Sequence, residues 1–117
     1  MKFLCLAYGG EADWKELSKQ EQTDVLAQDD VLKKRGDYLA AVQTNLTTVT
    51  NWNGDLKTNE ESFARPALPL AGFSIIEANS LDEVVQLVAN TPCARAKGAI
   101  EIRQFLDFGD KLRGSNS

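Results

Sequence analysis

The stretch from Leu70 to Phe105, LAGFSIIEANSLDEVVQLVANTPCARAKGAIEIRQF, constrains the fold more than any other part of this chain. Ala71 to Ala78 is a compact apolar run, short enough to be a strand. Ser80-Leu81-Asp82-Glu83 follows as a capping box, in which a serine oxygen accepts an early helix N–H and a glutamate reaches back. Leu81, Val84, Val85 and Val88 then recur on one helical face. Thr91-Pro92 ends that helix, because proline cannot donate to the preceding turn. From Ala99 to Phe105, Ile100 and Ile102 alternate with Glu101 and Arg103, the pattern of a half-buried strand. The segment is a strand–helix–strand unit with one apolar side.

The N-terminal half reads as a strand, a helix and further strands. Lys2 to Tyr8 is an apolar run closed by Gly9-Gly10, and reads as a buried first strand. Gly9 to Trp14 reads as a loop. Ser18-Lys19-Gln20-Glu21 is another capping box, and its helix runs to Arg35 and stops at Gly36. Lys33, Lys34 and Arg35 suit the negative end of that helix. Its apolar face is thin: Val25 and Leu32, with Leu17, Ala27 and Val31 beside them. Asp37 to Trp52, rich in Leu, Val, Thr, Tyr and Trp, reads as one long or kinked strand. Asn53-Gly54 is a hairpin signal, since both residues tolerate the positive φ of a type I′ turn. Asp55 to Asn59 is the return strand, and Glu60 to Pro69 a loop.

The resulting order is β-α-β-β-β-α-β. Without the short hairpin strand it is βαββαβ, the ferredoxin-like order of an α+β fold. Two helices cover one face of an antiparallel sheet. A chain of 117 residues has no third layer for the other face. A homodimer joined sheet to sheet, a dimeric α/β barrel, is the expected solution. The domain is expected over residues 1–105, with a polar tail over 106–117.

Composition narrows the functional classes. The net charge is −4, with acidic and basic residues interspersed, so there is no footprint for a phosphate backbone and no nucleic-acid partner is expected. No window reaches the length of a membrane span, and MKFLCLAYGG is too short for a secretory leader. A cytoplasmic protein with two reduced thiols, Cys5 and Cys93, is the expectation. There is no histidine, which removes the commonest acid–base residue. The cysteines lack metal-ligand spacing, so neither a metal nor a cofactor is expected.

These residues also carry a resemblance. MKFLCLAYGGE, Leu32 and Gly36 in LKKRGDYL, Phe63-Ala64, LAGF, IIEANSLDEVVQLV, Pro92-Cys93-Ala94 and EIR resemble, in order and spacing, the YCII-related proteins of the DGPF-domain branch. The likeness runs over residues 1 to 105 and is strongest after Leu70. It implies a ferredoxin-like subunit that pairs into a dimeric α/β barrel. It also implies a name-giving Asp-Gly-Pro-Phe, which spacing places on Glu60, Glu61, Ser62 and Phe63. Only the phenylalanine is kept, with Glu60 at the aspartate position. Many relatives carry a histidine in the first helix, where this chain has Val25. The implied His/Asp acid–base pair is thus half missing and half altered. The Arg65-Pro66-Ala67-Leu68-Pro69 loop is more apolar and stiffer than in the typical relative.

Candidate ligand-binding residues follow. Glu101 and Arg103 share a strand face; the arginine can hold a carboxylate bidentately, or the two can form an interface ion pair. Glu60 and Arg65 flank the Phe63 loop, at a pocket mouth or simply in solvent. A buried glutamate can act as a general base. Tyr8 closes the first strand, and it or Tyr38 can line a cleft or cap the core. Trp14 and Trp52 read as packing or interface residues. Asp29-Asp30 looks like a carboxylate pair, but adjacent helical residues diverge by about 100°.

Three functional readings remain. The first is a small-molecule-binding homodimer, taking a small carboxylate or aromatic metabolite in a cleft on the sheet face. The second is an isomerase- or lyase-type enzyme with Glu60 as base and Arg103 as anchor. Relatives sharing the barrel suggest it, since they include dehydrochlorinase-like and muconolactone-isomerase-like proteins. The third is an interaction module linked to transcription regulation, because relatives are often encoded beside extracytoplasmic-function sigma factors.

Overall fold

A computed structural model describes residues 1–106. The apolar runs at the two ends of the chain form the middle of a four-stranded antiparallel sheet. Strand β1 (Lys2–Tyr8) pairs on one side with β5 (Leu70–Glu77) and on the other with β6 (Ala99–Gln104), while β2 (Tyr38–Ala41) lies outside β5. The order β2-β5-β1-β6 is that of a ferredoxin-like α+β fold. Helices α2 (Lys19–Arg35) and α3 (Leu81–Val88) cover one face. Leu32, Val84 and Val88 from these helices share a core with Phe3, Cys5 and Ile76 from the strands.

The helix ends are built as the capping residues require. Ser18 Oγ accepts from the Glu21 N–H, and the Glu21 carboxylate accepts from the Ser18 N–H. The helix closes at Gly36 in the left-handed conformation. At α3, Ser80 Oγ accepts from the Glu83 N–H, but the Glu83 carboxylate reaches to the Asn79 N–H instead of Ser80. Val25 and Leu32 are buried, whereas Ala27 and Val31 lie on the wet side of α2. On α3 the buried face is narrower than the apolar pattern: Val84 and Val88 are inside, Leu81 and Val85 exposed. Gln28 Nε2 donates to the Leu87 carbonyl at 2.7 Å, tying α2 to α3. Arg35 donates to the Glu77 carbonyl and pairs with Asp37, fixing the end of α2 to β5.

Three local expectations change. Gly9 to Trp14 is not all loop: Glu11–Glu16 forms a short helix, α1, with Glu11 and Asp13 at its positive end and a Glu11–Lys15 ion pair. Six residues are too few to display a helical period. The long strand from Asp37 breaks after Ala41. Pairing of β2 with β5 stops at Ala41 opposite Gly72, the Val42 N–H donates once more to the Ala71 carbonyl, and the chain then leaves the sheet and forms a separate hairpin, β3 (Thr48–Trp52) and β4 (Asp55–Asn59). Asn53 and Gly54 have φ of 57° and 79°, as the tight turn requires. Helix α3 closes at Val88, before Thr91-Pro92 is reached, and Pro92 instead opens a helical turn, α4 (Pro92–Arg95), since a first-turn position needs no N–H.

The two faces of the sheet differ. Phe3, Cys5, Ser74 and Ile76 point under the helices and are buried. Ile100 and Ile102 pack against that core, so Glu101 and Arg103 lie on the opposite face with Leu4, Leu6, Phe73 and Ile75. No described element covers that second face. At Gly72 the β2 backbone leaves no room for a side chain: a Cβ there would stand 2.5 Å from the Ala40 carbonyl oxygen. The last strand, β6, ends at Gln104, and the expected tail from 107 onward lies outside the described residues.

Candidate functional site

Close packing of α2 fails at one point. Val25, Asp29 and Leu32 follow the i, i+4, i+7 spacing of a core-facing stripe, and the middle position is a carboxylate. Val25 and Leu32 are buried and Asp29 is half-buried. Beneath Asp29 the helix stands off the sheet. A cavity of about 330 Å³ opens there, between α2, the start of α4 and the strands. Cys5 and Ser74 form its floor, and Thr91 and Cys93 stand at the α4 end. Leu39, Ala41 and Ile100 contribute apolar wall, and Lys33 lines it one helical turn beyond Asp29. A second apolar space of about 220 Å³ adjoins it, sharing Ala71, Pro92 and Cys93, and ends against Trp14.

The chemistry of this cavity is set by a few polar groups. Burial pushes the Asp29 carboxyl above its ordinary range, Lys33 partly opposes this, and Asp30 adds to it. Among the described residues no side-chain hydrogen bond or salt bridge reaches Asp29; its α2 neighbour Gln28 is engaged with Leu87 and its pair partner Asp30 is exposed. The Cys5 thiol is also pushed up by burial, against a hydrogen bond with Ser74. Burial raises Cys93 likewise, with Asp29 adding to it. Both thiols therefore stay protonated at neutral pH, and are polar walls rather than nucleophiles. Among the described residues there is no metal-holding cluster of histidine, cysteine and carboxylate side chains.

The five residues singled out from sequence fall elsewhere. Tyr8 and Arg65 come together on a wide recess of about 900 Å³ between the 42–46 segment and the Ser62–Leu70 loop. Arg65 has a φ of 49°, and its N–H donates to Ser62 Oγ. Glu60 follows β4 on an exposed loop and lines none of the three spaces; Phe63 is 79% exposed. Glu101 and Arg103 stand opposite Leu6 and Leu4 on the uncovered face. They form no ion pair with each other and line none of these three spaces. Asp29, Lys33, Cys5 and Cys93 were not singled out as site residues. The interruption of the Val25–Leu32 stripe by Asp29 was the available signal.

The model of the YCII-related domain matches residues 1–109. This chain belongs to the YCII-related family. None of the curated proteins compared with it matches. Among solved structures, the YCII-related chain is similar to the 5-chloro-2-hydroxyhydroquinone dehydrochlorinase of Burkholderia phenoliruptrix in complex with 2,5-dihydroxybenzoquinone. The identity is 20%, the match covers 91% of this chain and 94% of that one, and the TM-score is 0.46. Within the YCII-related domain the expected histidine position, Val25, is a buried core residue at 2% exposure. No described helix is long and apolar enough to cross a membrane.

Proposed function

We propose that this YCII-related chain binds a small molecule and works as a homodimer, with the ligand in the cavity beneath α2. The cavity itself carries the reading. It is concave, mostly apolar, and lined by a few polar groups, as small-molecule sites are. The dimer is supported by the uncovered sheet face. Leu4, Leu6, Phe73 and Ile75 form an apolar patch there without a covering layer, and Tyr38 beside it is 59% exposed. Glu101 and Arg103 at its margin carry opposite charges, a self-complementary pair of the kind a two-fold contact uses.

Binding is favoured over isomerase or lyase chemistry. A general base must meet its substrate within hydrogen-bond reach, and Glu60 lines none of the three spaces described above. The test is a screen of small aromatic and polar fragments, read by backbone amide NMR shifts. Binders should shift the amides of Asp29, Ser74 and Cys93. Shifts confined to the Ser62–Leu70 loop or to β6 would overturn the placement of the site.

A further inference from the structure

Asp29 stands in a place that costs stability unless something answers it. A half-buried carboxylate on a core-facing stripe, with no ion pair or side-chain hydrogen bond from the described residues, loses part of its hydration, and Lys33 one turn on answers this only in part. Leucine or valine would fill the position and close the helix onto the sheet, as Val25 and Leu32 do on either side. The cavity wall opposite is uncharged: Cys5, Ser74, Thr91 and Cys93 present thiols and hydroxyls, and the thiols are protonated. No arginine lines the space.

We infer that the cavity selects a small primary amine, whose ammonium group is held by Asp29 and whose apolar body extends along Cys93 toward Trp14. The inference rests on reading the cavity as a ligand site. It reverses the charge preference expected from Arg103, which lies on the other face of the sheet. A carboxylate ligand would meet Asp29 as a like charge, with only Lys33 to offset it. An ammonium ion gains a charge-assisted hydrogen bond to Asp29, and Ser74 and Thr91 can accept its remaining protons. Lys33, one turn away, opposes the ammonium but lies on the more solvated side, where its repulsion is screened. The annex beyond Cys93 is apolar and ends on an indole, which suits a ring or alkyl chain.

Benzylamine, benzyl alcohol and benzoate share one ring and differ only in the head group. Their dissociation constants, measured at neutral pH by titration with NMR detection, test the inference. Benzylamine should bind at least about tenfold more tightly than benzyl alcohol, as expected for a hydrogen bond to a charged partner, and benzoate weakest of all. Asp29→Asn should remove the preference for the amine while leaving benzyl alcohol binding in place. Lys33→Gln should tighten benzylamine by about twofold. If benzyl alcohol shifts the cavity amides and benzylamine binds no better, the cavity is a site and the amine inference is wrong. If Asp29→Asn leaves the amine preference intact, the inference is wrong as well. If none of the three shifts the cavity amides, the site reading falls and takes the inference with it.

Discussion

Asp29 has a consequence for stability as well as for binding. Burial raises its carboxyl in the folded chain, so the folded state holds this proton more tightly than the unfolded state does. Stability then falls as pH rises through the interval between the two values. Below that interval the group is protonated in both states and costs nothing through charge. Asp29→Asn should therefore raise the melting temperature at neutral pH, and the gain should vanish in acid below the ordinary aspartate range. Solvent on the open side of the carboxyl limits the gain to less than about 1 kcal/mol. Thermal unfolding of both proteins across that pH range checks the sign. A gain that persists unchanged in acid would mean that packing, not charge, is responsible.

At the scale of the elements, the capping residues decide where helices begin. The Ser18–Glu21 box satisfies two N–H groups at the start of α2. Ser18→Ala should cost about 1 kcal/mol in denaturant unfolding without changing the slope. Such local signals made most of the fold legible. The two boxes, Gly36, Asn53-Gly54 and the apolar runs of β1 and β5 each act within a few residues, so sequence displays them. What stayed hidden depends on distant partners. The break after Ala41 shows in where pairing with β5 stops, opposite Gly72, and not in the composition of residues 42–47. The cavity was hidden for a similar reason. Asp29 reads as an ordinary helix carboxylate until Cys5, Ser74 and Cys93, from three other segments, are brought beneath it. Glu101 and Arg103 were placed on one strand face by simple alternation, but alternation cannot say what lies across from that face.

At the scale of the whole molecule, the uncovered face is the main unbalanced surface. A sheet with helices on one side and partly exposed leucine, isoleucine and phenylalanine on the other favours a partner of its own shape. Leu6→Glu places a charge in the middle of that face, since Leu6 lies between Phe73 and Glu101 in the sheet. Light scattering after size exclusion should show a dimer for the wild-type chain and a monomer for this variant, with the far-ultraviolet circular dichroism unchanged. A wild-type monomer at the same concentrations would overturn the dimer.

The two edges of the sheet bear on how chains can meet. Strand β2 offers only four residues, Tyr38 to Ala41, and β6 sets Glu101 and Arg103 along the opposite margin. A short edge and a charged edge are both poor templates for the addition of another strand. Growth of the sheet sideways into ribbons or fibres is thereby discouraged at both ends, even though the strands themselves are rich in β-branched and aromatic residues. The proposed dimer uses the flat of the sheet instead, where a two-fold contact closes after two copies and does not propagate.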